Sequence, residues 1–189
     1  MRVVDHWLTD AKKVPSPNCD PRPPNTEISL IVIHCISLPP GEFGGDWIDK
    51  FFLNRLPSEA HPYFETIHRL KVSTHVVIRR TGEIIQYVPF NQRAWHAGES
   101  CYAEMTRCND FSIGIELEGT VKIPYTNQQY CSLARLIGSL LQSSPALSPN
   151  RIAGHSEIAA GRKEDPGPSF DWPKLQALLK ETISAPSIA

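Results

Sequence analysis

One apolar run constrains the fold more than any other part of the sequence. Residues Leu30–Ile36 have the sequence LIVIHCI. A continuous, largely β-branched run of this length is typical of a strand that is covered on both faces. The imidazole of His34, near the end of the run, is either a hydrogen-bonded core histidine or a ligand for a bound group. We therefore predict a strand that is covered on both faces, with His34 near its C-terminal end.

Three further segments have strand patterns. His75–Arg79 and Glu83–Val88 flank a Thr-Gly pair, which predicts a hairpin. Phe111–Glu118 alternates between apolar and polar residues, so Gly114 and Glu116 share one face with Ser112 and Glu118. This polar face either meets solvent or lies under a ligand, because Gly114 leaves room beside Glu116.

Segments with helical spacing alternate with these strands along the chain. Asp46–Leu53 has an apolar stripe, and Thr126 with Gln129 forms a capping-box pattern before a long amphipathic segment. Asp171 can cap a last helix. The order of elements predicts an α/β fold with one domain over residues 1–189, in which a proline-rich arm, 1–28, wraps the surface and a tail, 183–189, is frayed.

Composition excludes several classes of partner. The formal net charge is −1 without a block of like charge, which argues against nucleic acid and anionic membranes. No apolar segment approaches the ~18 residues of a membrane span, and no run has signal-peptide length. The five cysteines lack a Cys-x-x-Cys pair, which favours free thiols in a reducing compartment. We expect a cytoplasmic protein. Without a glycine-rich phosphate loop, no nucleotide cofactor is indicated.

Two polar segments are candidate sites. Residues 154–168 offer His155, Lys163 and Asp165 between glycines and prolines. Histidine and aspartate suit Zn²⁺, and a third ligand from elsewhere would leave the open position of a catalytic zinc; the alternative is a surface connector. The second segment, Trp95-His96-Ala97-Gly98, frames a ligand or packs a loop.

Together these motifs resemble a known family. His34 with its flanking residues, the Trp95–Gly98 segment, Asn109–Glu116, Gly154-His155 and Lys163-x-Asp165-Pro166-Gly167 are similar to the zinc N-acetylmuramoyl-L-alanine amidases. The resemblance extends in order from about Trp7 to about Leu178. It implies a central mixed sheet flanked by helices, as in these amidases and in peptidoglycan-recognition proteins.

The resemblance also implies residue roles. One Zn²⁺ per chain would be bound by His34, His155 and Asp165. Glu116 would act on the attacking water as a catalytic base, and Lys163 would stabilise the oxyanion. Three positions depart from the family pattern: Cys35 is usually Asn, Lys71 is usually Arg, and residues 156–161 differ from Cys-Asp/Asn-Ile-Ala-Pro-Glu. The expected substrate-binding residues are Lys71, Trp95, His96, Gly98 and Arg107.

The implied reaction is hydrolysis of the amide between 1,6-anhydro-N-acetylmuramic acid and L-alanine of a muropeptide. Such an enzyme would serve peptidoglycan recycling as a monomer acting on a small-molecule substrate, with an indirect link to β-lactamase regulation. Two alternatives are a non-catalytic muropeptide-binding module, which typically lacks part of the zinc set, and a lytic amidase, which normally requires export or a wall-binding domain. The intact residue set favours the enzyme.

Overall fold

A computed structural model describes residues 1–184 of the chain. The strands are β1 Val3–Val4, β2 Trp7–Leu8, β3 Lys12–Lys13, β4 Cys19–Pro21, β5 Leu30–Ile36, β6 Val76–Ile78, β7 Ile84–Gln86, β8 Gln92–Ala94, β9 Cys101–Tyr102, β10 Met105–Thr106, β11 Ser112–Glu118 and β12 Ile152–Gly154. The helices are α1 Trp47–Phe52, α2 Pro62–Ile67, α3 Asn127–Ser143, α4 His155–Ile158 and α5 Trp172–Ser184. Two short 3₁₀ turns lie at Ser58–Ala60 and Cys108–Asp110.

The central sheet is mixed, in the order β12-β5-β11-β6-β7-β3. Strands β12, β5, β11 and β6 pair in parallel, β7 is antiparallel to β6, and β3 is parallel to β7. The two longest strands, β5 and β11, lie side by side and are almost entirely buried. The predicted mixed α/β fold is therefore confirmed, and the carboxyl ends of four parallel strands meet at one edge.

One face of the sheet is packed by the two long helices. The capping box of Thr126 and Gln129 starts α3 as predicted, and Asp171 Oδ1 accepts a hydrogen bond from Lys174 N (2.9 Å) at the start of α5. Alternate apolar side chains of the strands meet both helices in one core. Its members include Ile31, Ile33, Ile113, Ile115, Leu117, Leu133, Leu136, Ile137, Leu140, Leu175 and Leu179.

The opposite face is covered at its two ends and polar in the middle. Helices α1 and α2 pack on Val77 and Ile85 at one end, and α4 packs near Val32 and Ala153 at the other. The central strands carry polar side chains and a glycine between these clusters: His34, Ser112, Gly114, Glu116 and Glu118. The solvent-facing interpretation of this polar face is wrong, because β11 lies in mid-sheet and Ser112 and Glu118 are buried.

Two parts of the structure were not anticipated. Helix α2 is not among the elements predicted from the sequence; Pro62 opens it, and the His61 side chain accepts a hydrogen bond from Tyr63 N (3.0 Å). The arm 1–28 contains four short strands, of which β3 extends the central sheet and β4 pairs with β8. The predicted tail begins inside α5, and its residues 185–189 lie outside the described part.

Within residues 1–184, no helix has the length and apolar character needed to cross a membrane.

Candidate metal and catalytic site

Strand pairing brings the polar residues of three strands together. Glu116 of β11 is the parallel partner of His34 on β5, so both side chains point from the same face. On the other side of β5, Gly154 of β12 pairs with Ile33, and His155 follows immediately as the first residue of α4. The register therefore places His34 between Glu116 and His155 at the carboxyl ends of the strands.

Three donor atoms converge at this point. His34 Nδ1 lies 2.9 Å from His155 Nδ1 and 3.2 Å from Asp165 Oδ2, and His155 Nδ1 lies 3.1 Å from the same oxygen. Ligand atoms about 2.0–2.1 Å from a tetrahedral zinc lie roughly 3.3 Å from one another. Two imidazoles and one carboxylate are also the donors that catalytic zinc takes. The side chains therefore fit a Zn²⁺ ion with an open position.

The protonation states suit metal binding. Burial lowers the pKa of His34 to about 4, against a smaller opposing effect of its hydrogen bond with Asp165. Burial alone raises the pKa of Asp165, but hydrogen bonds with His155 and His34 outweigh it and hold that pKa well below its usual range. Neutral imidazole and ionised carboxylate are the forms that ligate a metal.

The loop that carries Asp165 is held on both sides. Ser156 N donates to Asp165 O (2.9 Å), and Tyr125 Oη donates to Pro166 O (2.7 Å). Gly167 has φ +84°, and a Cβ there would lie 2.4 Å from Val121 Cβ. Only glycine fits this close approach with a left-handed backbone, so the Asp-Pro-Gly turn fixes the carboxylate by its shape.

Glu116 differs from its strand neighbour Glu118. The Glu118 carboxylate is engaged by Arg79 Nη1 (3.1 Å) and by the backbone N–H groups of Gly44 (2.7 Å) and Arg80 (3.0 Å). Glu116 Oε2 is buried and has no hydrogen-bond partner within residues 1–184. Burial, reinforced by the negative charge of Asp165, raises the pKa of Glu116 well above its usual value; Lys163 opposes the shift. Burying a carboxylate oxygen without a hydrogen-bond partner costs free energy and increases the affinity of that carboxylate for a proton.

A cleft of about 580 Å³ opens above these groups. Glu116 and the three potential ligands lie at its floor, and the exposed Lys163 lines it as well. Its other walls are mostly apolar. They include Phe51, Phe52, Tyr63, Ile67, Leu70, Val72 and Trp95. A few polar groups at the base of an apolar cleft are typical of a small-molecule site.

The five predicted substrate-binding residues are distributed unevenly. Trp95 lines the cleft and donates from Nε1 to Asp20 Oδ1 (3.1 Å). His96 also lines it, but both ring nitrogens contact protein groups. Gly98 lies beyond the cleft, against the guanidinium of Arg162. Lys71 is exposed beside the lining residue Val72, and Arg107 borders a separate depression and pairs with Asp110 at 3.3 Å.

Sequence reasoning missed two residues that hold the Trp95–Gly98 loop. Asn109 Oδ1 accepts from the backbone N–H groups of His96 (3.1 Å) and Ala97 (2.8 Å). Arg162 Nη2 donates to the carbonyls of Ala97 (2.7 Å) and Glu99 (2.5 Å). Asn109 belongs to the Asn109–Glu116 segment that resembles the family, but the sequence gave it no role. The sequence around Arg162 gave no signal for its contact with the loop.

At the base of the cleft, two histidines and an aspartate that could hold a metal lie beside a glutamate whose buried Oε2 has no partner within residues 1–184. This is the arrangement of a metal-dependent hydrolase. The family model for N-acetylmuramoyl-L-alanine amidase matches residues 24–168, and the chain belongs to that family. It is 56% identical over 173 residues to the 1,6-anhydro-N-acetylmuramyl-L-alanine amidase AmpD of Salmonella typhimurium (strain SL1344), covering 92% of each chain.

Solved structures agree with this placement. The crystal structure of a Se-Met AmpD derivative superposes with a TM-score of 0.92 at 55% identity, covering 95% of this chain and 99% of that one. The E. coli amidase AmiD, solved with the substrate anhydro-N-acetylmuramic acid-L-Ala-D-gamma-Glu-L-Lys, gives a TM-score of 0.59 at 27% identity, covering 83% of this chain and 60% of that one. The predicted family and fold are confirmed.

Proposed function

We propose that this protein is a zinc-dependent amidase that cleaves the bond between 1,6-anhydro-N-acetylmuramic acid and L-alanine in muropeptides. The observation that carries the proposal is the convergence of His34, His155 and Asp165 beside the unpartnered oxygen of Glu116. The names and the bound substrate of the relatives support this choice of bond.

The two imidazoles and the carboxylate would hold one zinc ion. Bound zinc supplies positive charge that makes a water more acidic and polarises the scissile carbonyl. The near contact of the three donors supports this assignment. Asp165 is the one carboxylate among them, so it would compensate only part of the charge of the ion. A zinc ion at the floor of the cleft would therefore keep the positive charge that attracts the scissile carbonyl.

Glu116 acts as the general base and then as the general acid. Its buried Oε2 takes a proton from the attacking water and returns one to the nitrogen of the leaving L-alanine. The register with His34 supports this role, because it places the carboxylate next to the metal ligands without making it one of them. The same group can therefore serve both proton transfers.

Lys163 stabilises the oxyanion of the tetrahedral intermediate. Its side chain lines the cleft two residues before Asp165, and its charge acts on Glu116. A cation placed where negative charge develops contributes about 3 kcal/mol to transition-state binding. The negative charge that forms on the carbonyl oxygen meets this ammonium rather than bulk water.

The proposed substrate indicates the process in which the enzyme acts. An anhydro-muramyl peptide is a product of wall breakdown, so we place the enzyme in peptidoglycan recycling, and we propose that it acts there as a cytoplasmic monomer on a soluble substrate. The near-neutral net charge of −1 fits a small-molecule substrate rather than nucleic acid or an anionic membrane.

The decisive experiment is to incubate the purified protein with anhydro-muramyl and reduced muramyl peptides and to identify the products by mass. We expect release of the intact stem peptide from the anhydro substrate, loss of activity with a chelator and recovery with Zn²⁺. A protein that contains no zinc after chelator-free purification, yet is fully active, would disprove the metal role.

A further inference from the structure

His96 connects the proposed zinc ligand His34 to the protein interior. His34 Nδ1 faces His155 and Asp165, so its other nitrogen, Nε2, points away from them. His34 Nε2 lies 2.9 Å from His96 Nδ1, and the two rings meet edge to face at 85°. His96 itself is outside the group of three convergent donors.

The hydrogen bonds beyond His34 form a chain with one consistent direction. Ser112 Oγ donates to Cys108 O (2.6 Å), so its lone pairs are free to accept from His96 Nε2 at 3.2 Å. His96 then carries its proton on Nε2 and accepts at Nδ1, where His34 Nε2–H donates. With the proton on Nδ1 of His96, two donors would face each other across the 2.9 Å contact.

The second histidine of the site has an equivalent partner on the same loop. His155 Nε2 lies 3.1 Å from the carbonyl oxygen of Ala97, the residue after His96. Arg162 donates to the same oxygen, and Asn109 holds the N–H groups of both loop residues. One loop therefore supplies an acceptor for the outward nitrogen of each ligand histidine.

The His96 ring packs directly against the sheet at Gly114, which has no side chain. A Cβ on Gly114 would lie 2.5 Å from His96 Cγ. The glycine thus admits the imidazole ring against the backbone of β11, in the space where a ligand over the sheet was one prediction from sequence. His96 occupies that space instead, with both ring nitrogens engaged.

From this geometry we propose that His96 is a positioning residue, which fixes the tautomer and ring orientation of His34 for zinc. The inference rests on the proposed zinc role of His34. An acceptor for the outer N–H of a ligand histidine raises its basicity, and loss of such an acceptor lowers metal affinity 10–100-fold. His96 acts through His34 and is assigned no contact with substrate.

The test is competition for zinc between the full-length holoprotein and a chromophoric chelator. His96→Leu removes the acceptor and should lower zinc affinity 10–100-fold. His96→Asn should remain close to wild type, because its amide oxygen takes the place of Nδ1 on the same Cγ. The matched control is His75→Leu, which removes a neighbouring buried imidazole that hydrogen-bonds with Arg22, Gln92 and Gly114. The His75 ring packs edge-on against His96 but makes no hydrogen bond with it, so this variant tests packing without removing the acceptor at Nδ1.

Several results would overturn the inference. Equal zinc affinity in His96→Leu and wild type would do so, as would equal losses in His96→Leu, His96→Asn and His75→Leu, which mean only a packing role. Nitrogen-15 NMR of the zinc-loaded wild type needs no variant: a proton on Nε2 of His96 supports the proposal, and one on Nδ1 contradicts it. A wild type that binds no zinc refutes the proposed function as well.

Discussion

The floor and the rim of the cleft are built in different ways. At the floor, His34 and His155 are almost fully buried, and Asp165 is in contact with both. At the rim, Lys71 is exposed beside the cleft wall, and Arg107, with a side chain that is 70% exposed, lies farther out at a separate depression. The floor residues stand on paired strands or locked turns, whereas the rim residues lie in loops.

This difference separates chemistry from affinity. Buried, mutually hydrogen-bonded groups hold a fixed geometry, and removing one of them leaves others uncompensated. Exposed charges at the rim, outside the place where the oxyanion forms, are screened by solvent and contribute about 0–1 kcal/mol each. Substitutions at the floor should therefore abolish a step, and substitutions at the rim should adjust substrate binding.

The largest effect is expected for Asp165→Ala. The change removes one of three metal donors and leaves two close imidazoles without their carboxylate. Zinc affinity should fall by more than the 10–100-fold typical of an outer partner, and activity should disappear with the metal. Metal analysis together with a product assay measures both; an active, zinc-loaded variant would remove Asp165 from the ligand set.

Glu116→Gln should separate metal binding from catalysis. The amide keeps the size of the side chain but cannot take a proton, so the rate should fall by a factor on the order of 10² to 10⁴ while zinc stays bound. Zinc content and kcat/KM of the same preparation provide the test. If this variant lost its zinc and Asp165→Ala kept it, the two roles would be exchanged.

Lys163→Met should have a smaller effect that is confined to the chemical step. Loss of the cation should reduce kcat by about 10²-fold and leave zinc content unchanged, because the ammonium is assigned to the oxyanion and not to the metal. Lys163→Arg is the matched control, since it keeps the charge. A rise in KM alone would instead make Lys163 a substrate anchor.

Sequence pattern predicted the secondary structure that supports the floor of the cleft. The strand containing His34 has the predicted bounds, and the predicted hairpin and capping box are present. These features depend on local periodicity. The pairing of Glu116 with His34 depends on strand register, which residue spacing alone did not supply. The resemblance to the family grouped these residues. Their roles stay predictions.

The contacts that sequence could not supply are non-local. His96 and Ser112 are 16 residues apart, and Arg162 reaches Ala97 across 65 residues. The polar face of β11 was ambiguous for the same reason: only the tertiary structure shows that the His96 ring, and not solvent, covers Gly114.

The smallest effects are expected for the exposed cations Lys71 and Arg107, which are the proposed anchors for substrate carboxylates. Lys71 lies beside the cleft wall, whereas Arg107 is paired with Asp110 next to a different depression. We therefore expect Lys71→Ala to raise KM several-fold, about 0.5–1 kcal/mol, with kcat nearly unchanged, and Arg107→Ala to change KM less. Lys71→Arg should lower KM, because a guanidinium binds a carboxylate through two parallel donors. Steady-state kinetics on an anhydro-muramyl tripeptide decide the order. An unchanged KM in both Lys71 variants, with a raised KM in Arg107→Ala, would move the anchor to Arg107 and require the loop after β10 to reach over the cleft.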